Sequence, residues 1–331
     1  MKILIIRLSS LGDIVLTEPI IRRLRKVFPE AELHYLVKEQ FSSIPKAFGT
    51  DLQILSYRKS PGFHFGLMSR RYDYVFDLHN KFSTWLLKLF CYSAKIFTYD
   101  KMHRLRRRIT QHKTSAAIPS TLESYRSALT QAARLTGRSE LAQELDFPIL
   151  KADDKVMDSI RKRLADASNQ KTIALFPGAT HYTKRYPAEL FAEFIRLSGD
   201  RYRFLLLGSK QEQTVCERIQ ALASVNVLNL CGAFNLTELL AVISCADGVV
   251  TNDSGPMHLA AALGIPLVAI FGATHPRLGF KPLSERAVVL SSELSCQPCS
   301  LHGSNKCPLG HMQCLHSIKP ESIQEALTQL L

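Results

Sequence analysis

The sequence predicts an α/β protein made of two doubly wound parallel sheets. Three observations lead there. Short apolar runs alternate with helical stretches through the first half of the chain. The same alternation restarts at Thr172. The runs Ile3–Ile6, Thr172–Phe176 and Val249-Val250 each end in a turn of small or polar residues, where open α/β sheets hold their ligands. With 331 residues the chain exceeds one typical core and suits two domains of roughly 150 residues each.

In order, Ile3–Ile6 is a continuous apolar run, as an interior parallel strand requires. Ser9-Ser10-Leu11-Gly12-Asp13 is a tight turn, and a helix is expected around Pro19–Val27. Strand Leu33–Val37, a helix near Ser42–Ala47, strands Leu52–Leu55 and Tyr74–Leu78 and a helix near Ser83–Phe90 follow. Thr121–Gly137 has helix potential, and residues 151–170 read as a polar amphipathic helix able to bridge two domains. In the second half, strand Thr172–Phe176 precedes a helix at Ala188–Leu197, and strand Phe204–Leu207 a helix at Glu212–Leu222. Leu236–Ser244 is helical. Val249-Val250, a short helix Pro256–Leu263 stopped by Gly264, and strand Leu267–Phe271 form one unit. An amphipathic helix, Pro320–Leu331, closes the chain.

The charge is unevenly spread. Residues 1–115 hold 21 Lys and Arg against 9 Asp and Glu, whereas residues 116–331 hold 21 against 20, so nearly all of the formal +13 lies in the first third. Such a patch attracts an anionic partner. No zinc-finger, RNP or KH pattern points to nucleic acid, and an acidic lipid or phosphorylated acceptor fits better. The N-terminus lacks a signal peptide and no uncharged run approaches the roughly 20 residues of a membrane span, so cytoplasmic residence is expected. Eight cysteines in such a protein do not suggest a disulfide framework.

Three segments carry chemistry. In Ile3–Pro19, Asp13 lands at a helix start, as a cap or as a working carboxylate. In Phe176–Phe194, Gly178, Ala179 and Thr180 offer N–H groups and a hydroxyl at a strand end, with Lys184 as a nearby point charge. In Val249–Gly272, Asp253-Ser254-Gly255 leads into a helix bearing Met257 and His258, whose free first-turn N–H groups suit a phosphate.

Together, in order and spacing, these segments resemble the lipopolysaccharide heptosyltransferases, glycosyltransferase family nine, over nearly the whole chain. The family's Lys-Arg-Trp-Pro reads Lys184-Arg185-Tyr186-Pro187 here. The resemblance implies the GT-B architecture, with an N-terminal acceptor domain (residues 1–165), a nucleotide-sugar domain (166–315) and a C-terminal helix (316–331) packing back on the first domain. It implies inverting transfer of heptose from ADP-heptose to the inner core of a lipopolysaccharide precursor, at the cytoplasmic face of the inner membrane. Asp13 is then the general base. Gly178, Ala179, Thr180, Lys184, Asp253, Ser254, Gly255, Met257 and His258 surround the donor, with Glu212 towards the ribose and Phe234 towards the base. Glu212 is equally readable as a first-turn acid and Phe234 as a core ring. Asp253, an anion beside a diphosphate, is expected to hold the loop or to bind sugar hydroxyls. Arg7, Arg58, Lys59 and Arg106 are the acceptor-side candidates, with Arg58, Lys59 and the Arg104–Arg108 run in loops.

Cys296-x2-Cys299-x7-Cys307-x6-Cys314, with His302, His311 and His316 nearby, has the composition of a small structural zinc site, or of unbound thiols packed in a loop. No metal is expected in catalysis. The rival readings are a family-nine enzyme with another nucleotide sugar or acceptor, and a non-catalytic basic protein that binds membranes on the same scaffold.

Overall fold

The computed structural model describes residues 1–165, 170–223 and 227–331, which divide into two compact units. The first comprises Met1–Met102 and Ser120–Lys151, the second His103–Pro119 and Ala152–Leu331. In the first unit β1 (Lys2–Ile6) leads to α1 (Leu11–Val15) and α2 (Glu18–Val27), β2 (Glu32–Val37) to α3 (Ser43–Lys46), and β3 (Gln53–Ser56) to α4 (Pro61–Ser69). Then β4 (Tyr74–Asp77) leads to α5 (Phe82–Leu89), and β5 (Lys95–Thr98) is followed by α6 (His103–Thr110), which belongs to the second unit, and α7 (Thr121–Thr136). All pairings are parallel, in the order β3-β2-β1-β4-β5. Ile3 to Ile6 are fully buried at its centre, which is why that run alternates nothing polar. Ser120 caps α7 by accepting from the Glu123 N–H, and Gly137 ends it in the left-handed conformation at φ 71°.

In the second unit, α8 (Asp154–Arg163) precedes β6 (Lys171–Phe176), α9 (Ala188–Ser198), β7 (Tyr202–Leu206), α10 (Gln213–Ala223), β8 (Val227–Asn229) and α11 (Leu236–Ser244). β9 (Gly248–Asn252), α12 (Gly255–Ala262), β10 (Leu267–Phe271), β11 (Ala287–Ser291), α13 (Gln313–His316) and α14 (Pro320–Leu330) complete it. The strand order is β11-β10-β9-β6-β7-β8, again all parallel. Each sheet has one place where the winding reverses: between β1 and β4 in the first, and between β6 and β9 in the second. The carboxyl ends of those strands are where ligands of doubly wound sheets bind.

Several expectations are corrected. The Arg104–Arg108 run is helical, in α6, and segment 103–119 joins the second unit through the Ile118 N–H, which donates to the Arg277 carbonyl at 2.9 Å. The helix expected over 151–170 is α8, ten residues long with Asp153 as its cap; residues 166–169 lie outside the described residues. The C-terminal helix, expected to pack on the first domain, lies in the second unit against α9, β10 and β11, with Ile323 and Leu327 fully buried. Short strands β5, β8 and β11 and helix α4 stand where none was expected.

Candidate functional site

At the switch point of the first sheet, the turn after β1 brings Asp13 and Arg7 together. Arg7 is 5% exposed, and its Nη2 lies 2.5 Å from Asp13 Oδ2. Its Nη1 donates to the Leu78 carbonyl just past β4, tying the two strand ends. Ser10, the residue before α1, donates its hydroxyl (2.7 Å) and its N–H (3.3 Å) to the same Asp13 oxygen. Among the described residues Oδ1 receives only the longer bond from the Tyr125 hydroxyl, 3.3 Å, on α7. Asp13 thus caps α1 and forms a buried charge pair as well. Burial pushes its carboxyl up, but the Arg7 charge and the Ser10 bonds outweigh it and bring the pKa to about 2. The group is ionised at every physiological pH, and Oδ1 is the less heavily bonded of its two oxygens among the described residues.

Asp77, at the end of β4, is fully buried and organises the neighbouring turn. It accepts from the N–H groups of His79 and Asn80 and from the Thr84 hydroxyl, and pairs with Lys88 at 3.2 Å. His79 follows it, 4% exposed; burial and then the Arg7 charge lower its pKa to about 4, so its ring is neutral beside the pair. Neither residue stood out in the sequence, because a lone Asp at a strand end is ordinary.

The second sheet's switch point gathers the other two motifs. Asn252 ends β9 fully buried; its amide donates to the Pro177 carbonyl at 2.7 Å, and its oxygen accepts from the Tyr186 N–H at 3.1 Å. One side chain therefore pins the Pro177-Gly178 loop to the Lys184–Pro187 segment. Tyr186 is 1% exposed and its hydroxyl donates to the Ile318 carbonyl at 2.6 Å, a bond that suits a tyrosine in this slot. Arg185 donates to the Ala179 carbonyl at 2.8 Å and to that of Thr180, placing a cation under the loop. Lys184 Nζ lies 2.8 Å from Asp253 Oδ2, which also accepts from Thr274 at 2.6 Å. Asp253, expected to hold the loop or to bind sugar hydroxyls, is thus charge-paired with Lys184 and bonded to Thr274.

The helix end is tighter than the sequence suggests. The Met257 N–H turns back to the Ser254 carbonyl at 3.2 Å. Of the three expected N–H groups, that of Met257 is therefore taken by the turn, while that of Gly255 is used neither by helix nor by turn among the described residues. Ser254 stays beside it, its hydroxyl 3.4 Å from that of Thr251. Met257 and His258 are both buried.

Glu212 follows β7 and closes a capping box with Ser209, the first-turn acid of the plainer of its two readings. Its Oε2 accepts from the Ser209 N–H at 2.7 Å and hydroxyl at 2.9 Å, while Oε1 lies against Gly178: a Cβ there would stand 1.7 Å from it. Gly178 is thus glycine because Glu212 fills its side-chain space. Phe234 is half-buried, not a core ring, and the Arg163 guanidinium lies 4.6 Å from its centroid.

Arg58 and Lys59 are exposed in the β3–α4 loop, as expected. Arg106 is not exposed; it is buried with its guanidinium 4.9 Å above the Phe280 ring, in the second unit. The four late cysteines are free thiols. Among the described residues no three His, Cys, Asp or Glu side chains gather as a group able to hold a metal, so the zinc set read from their spacing does not assemble. Their loop instead braces Lys184. Thr183 and Ser304 exchange bonds of 3.0 and 2.8 Å, and Gly303, at φ 90°, packs its α-carbon against the Lys184 stem where a Cβ would come within 2.9 Å.

A model of glycosyltransferase family 9 (heptosyltransferase) matches residues 63–309. The lipooligosaccharide heptosyltransferase 2 of Campylobacter jejuni is 26% identical over 347 aligned residues, covering 100% of this chain and 98% of that protein. Among solved structures, ADP-heptose lps heptosyltransferase II of Escherichia coli matches with a TM-score of 0.78 at 25% identity, covering 100% of this chain and 98% of that one. The heptosyltransferase WaaC of Escherichia coli, solved with ADP, shares the fold at a TM-score of 0.70 and 18% identity, covering 100% of both. Two parallel α/β sheets matched in this way are the GT-B-like fold expected from the sequence.

Proposed function

We propose that this chain, which belongs to glycosyltransferase family 9, the heptosyltransferases, transfers heptose from ADP-heptose to the inner core of a lipopolysaccharide precursor with inversion at the sugar carbon. The observation that carries the reading is Asp13, held ionised at the switch point of the first sheet by Arg7 and Ser10 on Oδ2, with the longer Tyr125 bond on Oδ1. The full-length likeness to an ADP-heptose lps heptosyltransferase supports the donor and acceptor classes.

The acceptor oxygen attacks the anomeric carbon as the bond to the diphosphate breaks, and its proton passes to Asp13 Oδ1. A carboxyl with a pKa of about 2 is a poor base towards a resting hydroxyl. The proton therefore moves late, once the new C–O bond has drawn electrons from the acceptor oxygen and made its proton acidic. Arg7 stays ion-paired throughout and positions the carboxylate. The leaving ADP carries its negative charge to Lys184, the Gly255 N–H, the Ser254 and Thr180 hydroxyls and the Arg185 charge behind the loop. Asp253, already neutralised by Lys184 and Thr274, need not repel it. In this scheme the protein's own groups take up the diphosphate charge and no divalent ion has a step. Glu212 meets the ribose hydroxyls and Phe234 the adenine. Arg58 and Lys59 meet the phosphates and acidic sugars of an acceptor at the cytoplasmic face of the inner membrane.

Thermal-shift titration with ADP, UDP and GDP tests the donor. Stabilisation by ADP at lower concentration than by UDP or GDP is expected, since a ligand that binds only the folded state raises the melting temperature with its affinity. Equal responses to all three would contradict an ADP-sugar donor.

A further inference from the structure

The first unit carries an exposed apolar surface on the outer sides of α4 and α5. α4 and α5 both pack on one face of the sheet, through Leu67 and Leu87, which share a buried cluster with Leu4, Ile6 and Val75. Their outer sides are apolar where an ordinary surface helix is polar. Phe65 is 58% exposed, Phe82 82%, Trp85 53% and Tyr92 70%, with Leu86 and Leu89 exposed between them. Two ring pairs stand there: Phe82 stacks on Trp85 at 5.9 Å, and Phe65 meets Phe90, the residue after α5, at 6.3 Å. Large apolar side chains grouped in this way mark an interaction surface.

Charge identifies the partner. Residues 58–96 contain seven Lys and Arg and two Asp and Glu. Both acids are engaged elsewhere: Asp73 accepts from the Lys2 N–H, and Asp77 is buried against Thr84 and Lys88. Arg58, Lys59, Arg71, Lys81 and Lys95 stay exposed in the segments that flank α4 and α5 in the chain. A second copy of the chain would set like charge against like. Exposed aromatic and leucine side chains in a segment rich in exposed Lys and Arg match an anionic bilayer surface, where rings enter the headgroup layer and cations meet lipid phosphates. Among the described residues no helix is long and apolar enough to cross a membrane, so the contact is interfacial.

We propose that α4 and α5 form a membrane-docking face that inserts Phe82, Trp85, Leu86 and Leu89 into the headgroup region of an anionic bilayer. This deepens the acceptor reading above by placing the enzyme on the surface that holds a lipid-linked acceptor. Its test needs neither donor nor acceptor, so each reading can fail alone.

Trp85 is the chain's single tryptophan, and so reports directly on the patch. Its emission should shift to the blue on adding phosphatidylglycerol-containing vesicles, should be quenched by lipids brominated near the headgroup, and should respond little to pure phosphatidylcholine. The exposed pair Phe82→Ser with Leu86→Ser should weaken vesicle co-sedimentation by about tenfold or more while keeping the reporter. Lys81→Ser and Lys95→Ser should each weaken it by roughly fivefold, an effect that rising salt erases. Circular dichroism of the variants checks that they fold. Emission unmoved by anionic vesicles would overturn the proposal. So would a blue shift that grows with protein concentration in the absence of lipid, which would make the face a self-association surface.

Discussion

Asp13 shows how one side chain can be two things at once. It caps α1 through Ser10, the modest role its position in the sequence already allowed, and it shares a buried pair with Arg7 that only the tertiary structure assembles. Burial of Asp13 is offset by Arg7, so replacing Arg7 with Met should let burial dominate and raise the Asp13 pKa by about one to three units. The sign follows: transfer needs the ionised form, so the acidic limb of the pH–rate profile moves up towards neutrality in the variant, whereas the parent stays flat down to the acid range. An unmoved limb would separate Arg7 from the ionisation of the base. Lys184 poses a similar question, because it neutralises Asp253 and faces the diphosphate. Lys184→Ala should weaken ADP binding by roughly 10–100-fold, the worth of a charge-assisted hydrogen bond. The double variant with Asp253→Asn removes the orphaned anion. If Lys184 binds the diphosphate, ADP affinity stays low in the double variant; full recovery would reduce the lysine to a partner of Asp253.

At the scale of elements, the loops after β6 and β9 work as one piece. Asn252 joins them, Arg185 supports one from below, and the Thr183–Ser304 bonds press the cysteine-rich loop onto the Lys184 stem. Glu212 reaches the same place by filling the space that Gly178 lacks. Gly178→Ala should therefore swing the Glu212 carboxylate away, because the clash is with a flexible side chain. ADP affinity should fall about tenfold, as for one lost hydrogen bond to a charged group, with little change in melting temperature. A Glu212→Ala background should then abolish the effect of Gly178→Ala on ADP affinity. If Gly178→Ala still weakens ADP equally there, the glycine acts through its own backbone and not through Glu212.

For the molecule as a whole, the elements legible in the sequence are those whose burial is written as a continuous apolar run or a capped helix. β1, β10 and α11 sit within a residue of where Ile3–Ile6, Leu267–Phe271 and Leu236–Ser244 place them. The strands missed, β5, β8 and β11, are the outer strands of their sheets, short and only partly buried, so hydrophobic patterning barely marks them. α6 reads as a loop because its arginine run hides the contact that buries it, the Arg106 guanidinium over Phe280. Its transfer to the second unit depends on a meeting of Ile118 with Gly279 and Arg277 that no local pattern encodes. The motifs themselves were legible; the residues that fix them, Asn252, Thr274, Tyr125 and Asp77, were not, since each is ordinary until its partner arrives from a distant segment. The measurement that tests the account most directly is single-turnover transfer from ADP-heptose to a lipopolysaccharide precursor, with excess EDTA, by the parent chain and by Asp13→Asn. The account predicts ADP release with an inverted anomeric linkage in the parent, and a rate lower by roughly 10²–10⁴-fold in the variant at nearly unchanged ADP affinity. Transfer by Asp13→Asn at the parent rate would contradict it.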